Sequence, residues 1–345
     1  MELQNDTTLP TEVIREHVDD RWGIVVAINK ATYEVTDGGL VLSKNQVPVW
    51  RDPAADAPAG EVHHVQESGL VDITCVGDIC APGGQPTPVM DVNLRWRDSV
   101  RLIRVFGRRV WRRSGGRLAP TDPEPFSVLP MSWSGSFGGV HAVPPGFAPH
   151  SRLPMPSGEV AFAPNRNGIG FYLDEADADG KVLPNLEDPG NLIRAHSDRP
   201  TPVCFAPCPL DSGLRMAHLW PEGSESPHPP GHGDREAFPR MLRNAPPSLQ
   251  ARDVGPGTVF TLEGMTPVGP FVFAVPAVSF LWEARVGAWS RRFRPELVGV
   301  QIRPTERRIS LQLRTSIVYP MIREQQRHAR LFATGVAALG SAAVA

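Results

Sequence analysis

Of the chain's 37 prolines, 24 fall between Gly115 and Pro256, a stretch with few sustained periodic runs. Proline lacks an amide hydrogen and fixes φ, so it is kept out of helix interiors and central strands. The middle of the chain is therefore expected to form long ordered loops over a core supplied from both sides. No short proline or glycine period accompanies the excess, which sets aside collagen-like and linker-like polymers.

The flanking segments read as strands. WGIVVAINKATYEV and LVLSKNQVPVW meet at Asp37-Gly38-Gly39, strong hairpin chemistry because glycine accepts positive φ. VDITCVGDICA, VMDVNLRWRDS and VRLIRVFGRRVWRR follow, the last two meeting at Asp98-Ser99. From Thr258 the runs TVFTLEGM, PFVFAVPAVSFLWEARVG, LVGVQIRP and RRISLQLRTSIVY return, with Pro304-Thr305 placed to turn the last pair. REAFPRMLRNAP could hold one helical turn, and MIREQQRHARLFATGVAAL after Pro320 reads as a helix.

The expected class is mainly β: antiparallel sandwich or barrel-like sheets, long proline-rich ordered loops and a short C-terminal helix. The expected division is residues 1–115 as an N-terminal meander, 116–256 as loops packed on the sheets, 257–320 as C-terminal hairpins and 321–345 as a helical apolar tail. The four are expected to form one compact unit.

Charge is unevenly placed beneath a formal net charge of -2. Arg101 to Arg117 holds seven arginines and no acid, and Arg285 to Arg330 holds eleven against Glu296, Glu306 and Glu324. Such segregation can steer a charged partner or cancel internally against acidic loops. MELQNDTTLP has no basic start followed by an apolar run, so a cytoplasmic location is expected. LFATGVAALGSAAVA is too short for a spanning helix of about 20 residues and reads as a docking tail or a frayed end, so no membrane insertion is expected.

Candidate chemistry is sparse. Cys75-x4-Cys80 and Cys204-x3-Cys208 could supply four thiolates, but Cys75 and Cys80 read as opposite faces of one strand, which is poor zinc geometry. Buried thiols are the expectation, with no metal and no cofactor. His228, His232 and Asp234 have ligand-like spacing without the helix that would align two imidazoles. Asp177-Ala-Asp179-Gly180, with Glu175 at the first oxygen position, lacks the liganding Glu of a calcium loop at its expected place and reads as a turn. Gly168-Ile-Gly170 and Ser136-Phe-Gly-Gly139 fit no phosphate-loop pattern, and Ser132, Ser134 and Ser136 have no nucleophile elbow around them. Alternation splits the arginines of RVFGRRVWRR over two strand faces, which argues against nucleic acid. No catalytic residue is assigned.

The motifs, taken in order, resemble a bacterial family known as domain of unknown function 2169, found beside type VI secretion genes. The resemblance runs from about Asn5 to Tyr319. It is carried by Lys30-Ala-Thr-Tyr33 with Asp37-Gly38 and Gln46-Val-Pro48, and by Asp72 to Pro82. Val105-Phe-Gly107 with Arg109 and Trp111, Pro125-Phe126, Leu129-Pro-Met131 and Phe137-Gly-Gly139 continue it. Asn165 with Gly168 and Gly170, Leu183-Pro-Asn-Leu-Glu187, Asn244-Ala-Pro-Pro247 and the Leu297 to Tyr319 hairpin complete it. Arg108, Arg166 and Cys204 depart from the family pattern.

The resemblance implies a non-catalytic adaptor or chaperone that binds a toxic effector, often one with a PAAR-repeat region, and helps load it onto the valine-glycine-repeat spike protein. The competing readings are an enzyme acting on an effector or cell-wall fragment, and a structural spike component. The basic strands and the apolar tail are the expected contact zones, represented by Arg104, Arg108, Arg109, Arg112, Arg291, Arg292, Leu331 and Phe332.

Overall fold

The computed structural model describes residues 2–17, 21–50, 69–142, 159–209, 213, 243–321 and 330–338. Across them the chain is mainly β, in three larger sheets of seven, five and four strands and several two-stranded ribbons.

The seven-stranded sheet runs Gln250–Ala251, Val71–Cys75, Glu296–Arg303, Arg308–Pro320, Trp22–Thr36 and Thr11–His17, with Gly39–Leu42 also paired to Trp22–Thr36. The five-stranded sheet runs Leu186–Glu187, Ser99–Phe106, Val89–Trp96, Val259–Glu263 and Phe271–Ala274. Both hairpins read from the sequence are present: Thr36 pairs with Gly39 across Asp37-Gly38, and Trp96 pairs with Ser99 across Arg97-Asp98. Arg303 pairs with Arg308 to close the third. Pairing is antiparallel except at a few places, among them Val71–Cys75 beside Glu296–Arg303.

Side-chain alternation explains how these sheets stack. In Trp22–Thr36 the odd positions Val25, Ala27, Ala31 and Tyr33 enter the main core, whereas Val26 and Ile28 pack on the opposite face with Val49. Residues 25–33 are all buried, as expected for a strand covered on both sides. The main core also takes Val92, Leu94, Ile103, Val105, Phe260 and Phe273 from the five-stranded sheet, which makes the two sheets a sandwich. A second cluster joins Trp111 to Leu118, Phe137, Ala178, Leu183 and Ile193 of the proline-rich stretch.

That stretch also completes the sheets. Leu186–Glu187 extends the five-stranded sheet beside Ser99–Phe106, and Gln250–Ala251 extends the larger one beside Val71–Cys75. The loops thus belong to the scaffold.

The C-terminal helix expected in 321–345 is corrected by the structure. Arg330–Ala338 is a strand of the four-stranded sheet, antiparallel to Val278–Val286 and parallel to Glu2–Asn5. Alanine favours helix, but propensity is a weak prior, and pairing on both sides satisfies backbone groups that Val278–Val286 would otherwise leave open. Among the described residues one helical turn is Glu175–Ala178, capped by Asp174 Oδ1 accepting from Asp177 N at 2.8 Å. It occupies the expected Asp-Gly turn. The segment around REAFPRML and the His228, His232 and Asp234 cluster lie outside the described residues.

Candidate functional site

Several sequence motifs meet at one buried junction. Asn165 is 1% exposed, and its Nδ2 donates to Trp133 O at 2.9 Å and Phe137 O at 3.1 Å. Phe137–Gly138 pairs in parallel with Ile169–Gly170, and Gly139 N donates to Asn165 O at 2.9 Å. Asn185 ties this knot to the five-stranded sheet: its N donates to Gly135 O at 2.8 Å and its Nδ2 to Phe106 O at 2.9 Å. The glycines that resembled phosphate loops are therefore spent on close backbone packing. A similar union joins Asp72 to the Asn244 motif. Asp72 accepts from Arg243 Nη1 at 3.1 Å and from Asn244 N at 2.8 Å. Burial pushes the Asp72 carboxyl up, and the Arg243 charge opposes that rise.

The arginines expected at a partner surface divide by environment. Arg109 is corrected outright. It is 5% exposed, ion-paired with buried Glu187, and its Nη2 also donates to Pro184 O at 2.8 Å. Its guanidinium lies over Phe106. No partner can reach it in this structure. Arg104 is half-buried and grips Asp91 with Nε at 2.8 Å and Nη2 at 2.9 Å. Arg108 is exposed and paired with Glu124 at 3.0 Å, while Arg112 is exposed on the short strand Trp111–Ser114. Leu331 and Phe332 sit in the inner strand Arg330–Ala338, with backbone pairing to Leu3 and Gln4 on one side and to Ala284 and Glu283 on the other. In register, Leu331 and Phe332 lie across Ala284 and Glu283 from Arg291 and Arg292, whereas Arg104 lies in the five-stranded sheet, so the eight residues are divided between sheets.

The hairpin Val278–Val286 and Trp289–Phe293 carries a group of exposed arginines. Trp289–Phe293 is the outer strand of the four-stranded sheet and exposes Arg291 and Arg292, with Arg285 exposed on its neighbour and Arg294 just beyond. Glu283 is the acid at the centre of this group. It accepts from Arg285 Nε, from Arg292 Nε at 3.1 Å and from Ser290 Oγ at 3.3 Å. The Arg285 and then the Arg292 hydrogen bonds hold the Glu283 carboxyl below its ordinary value. A depressed carboxyl contributes stability that is present above its unfolded pKa and is lost as pH falls through the folded one. Acidification below the ordinary carboxylate range should therefore weaken the hairpin, and Glu283→Gln should flatten that part of the curve. A series of thermal unfolding midpoints from neutral to acid pH checks this, and parallel curves for the two proteins would refute it.

The Cys75 and Cys80 reading is corrected in one respect: they lie in separate strands, Val71–Cys75 and Asp78–Cys80. All four cysteines are buried. Burial raises the Cys75 thiol, and it pushes Cys204 up to about 12, which keeps both protonated and poorly nucleophilic. A cavity of about 40 Å³ is lined by Lys30, Asp72, Thr74, Ser310 and Gln312. It has room for about one water, against about 300–1,000 Å³ for a small-molecule site. Among the described residues no group of three or more His, Cys, Asp or Glu is placed to hold a metal ion, and no helix is long and apolar enough to cross a membrane.

The junction, the sandwich and the basic outer hairpin define a β scaffold whose motifs serve packing and whose exposed arginines lie at the edge of a sheet. A family model matches residues 20–314, and the chain belongs to that family, DUF2169, described as an uncharacterized protein conserved in bacteria. No curated protein and no solved structure matches the chain.

Proposed function

We propose that the protein is a type VI secretion accessory factor, an adaptor or chaperone that binds a cognate toxic effector in the cytoplasm and promotes its loading onto the spike complex. The observation that carries this reading is the basic strand Trp289–Phe293, which among the described residues is paired on one side only and exposes Arg291 and Arg292, one on each face. Arg291 lies 5.4 Å from the Phe293 ring centre, which orders the guanidinium for contact. Opposite charge on a partner would steer encounter and fix orientation, and a rigid scaffold keeps the ordering cost of binding low. The partners proposed are an effector, including ones with a PAAR-repeat region, and the spike protein.

The test is co-expression with the effector encoded beside this gene, followed by affinity retention and titration. The wild-type chain should retain the effector, and the double variant Arg291→Glu/Arg292→Glu should bind at least about tenfold more weakly, a loss of about 1.4 kcal/mol. Absence of retention by the wild type, or equal retention by the variant, would count against the reading.

A further inference from the structure

Among the described residues, two strands from different sheets each leave one backbone edge open, and both line the same cleft of about 300 Å³. Phe271–Ala274 is the last strand of the five-stranded sheet and pairs with Val259–Glu263 alone. Just beyond its end, Val275 N donates to Thr258 O at 2.9 Å. Antiparallel pairing alternates, so Phe271 and Phe273 also turn their backbone groups inward, while Val272 and Ala274 turn theirs away from the sheet.

The other wall is Gly39–Leu42, which pairs with Trp22–Thr36 alone. Here Ser43 N donates to Thr32 O at 2.9 Å, which sets the phase. Gly39 and Val41 face their partner strand, and Leu40 and Leu42 present amide and carbonyl outward. Leu40, Val272 and Ala274 all line the cleft. At its mouth Arg307 is committed to this chain, with Nε donating to Val35 O at 3.0 Å and Nη2 to Asp37 Oδ1 at 3.2 Å.

We propose that this cleft captures one extended segment of a partner polypeptide, which adds as a strand to the Phe271–Ala274 edge with its other side toward Gly39–Leu42. Open edges are templates for strand addition, and main-chain bonds supply much of the affinity in that mode of recognition. The dimensions select the occupant. Four residues of edge span about 13 Å, which suits a short peptide. A cleft of about 300 Å³ walled on both sides has room for a single chain segment and not for the outer strand of a second folded copy with its sheet behind it. The two walls belong to other sheets than the Arg291 and Arg292 hairpin, and the inference does not depend on the adaptor reading.

The test pans a displayed random heptapeptide library on the full chain, with Val272→Pro as the counter-selection. Proline at Val272 deletes an amide that faces the cleft and leaves the inward pairs of Phe271 and Phe273 intact, so the thermal midpoint should stay near the wild-type value. Enriched peptides should bind the wild type by fluorescence anisotropy and the variant at least tenfold more weakly. Synthetic versions N-methylated at alternate residues should lose binding in one phase and keep it in the other, a readout that needs no variant to fold. Failure to enrich any peptide, or peptides indifferent to N-methylation phase, would overturn the proposal. So would a wild-type dimer in gel filtration that Val272→Pro converts to monomer, because the edge would then serve a second copy.

Discussion

Arg109→Met is expected to lower the stability of the protein by about 3–5 kcal/mol, the scale for removing one partner of a buried ion pair. Glu187 is 3% exposed, and without Arg109 it keeps one Oε2 bond from Ile193 N at 2.8 Å while its charge stays in the interior. Pro184 O would lose its donor as well. The pair itself is an imperfect arrangement, because Arg109 Nε is buried with no hydrogen-bond partner. A buried pair replaced whole by apolar side chains is often neutral. The double variant Arg109→Met/Glu187→Leu should therefore recover most of the loss. Urea unfolding of the three variants and the wild type gives the cycle directly. A single variant within about 1 kcal/mol of wild type would show that water reaches Glu187.

Gly138→Ala should be of comparable size, about 3 kcal/mol or more, through backbone strain and overlap together. Gly138 has φ of 152°, and a Cβ there would stand 2.0 Å from Asn165 O. Relief requires Asn165 to move, yet its Nδ2 is bonded to Trp133 O and Phe137 O and its O accepts from Gly139 N. The damage should spread through the junction. Chemical denaturation measures the loss, and near-ultraviolet circular dichroism reports the buried Trp133. Asn165→Ala is the reference, with about 1–3 kcal/mol expected for leaving Phe137 O without its donor, because Trp133 O still accepts from Ser136 N at 3.2 Å. A Gly138→Ala protein milder than that reference would overturn this account of the motif.

Local chemistry made the hairpins legible. Asp37-Gly38 lies between alternating runs, so its turn and register could be read together, whereas the second turn falls at Arg97-Asp98, one residue before the Asp98-Ser99 read from the sequence. The burial of Arg109 could not be read, because its partner Glu187 lies 78 residues away and Arg108 beside it is exposed. Alternation did indicate that these arginines would separate, without saying which would face inward. The C-terminal segment failed for another reason. Its alanine content fits a helix, and the strand it forms depends on Val278–Val286 and Glu2–Asn5, neither of which is near in sequence. The peptide cleft was hidden in the same way. PFVFAV reads as a strand, but that its outer edge stays open, and that Leu40 faces the same space, are properties of sheet order.

Trp22–Thr36 packs along its length against Arg308–Pro320, a neighbour that leaves the ribosome 284 residues after Thr36. At bacterial synthesis rates of about 5–20 residues per second, this strand waits on the order of tens of seconds for its main partner. Its early companions Thr11–His17 and Gly39–Leu42 can shield one edge during that interval. The other stays bare on a nascent chain, so production of this protein is most vulnerable to aggregation before its closing hairpin has been made.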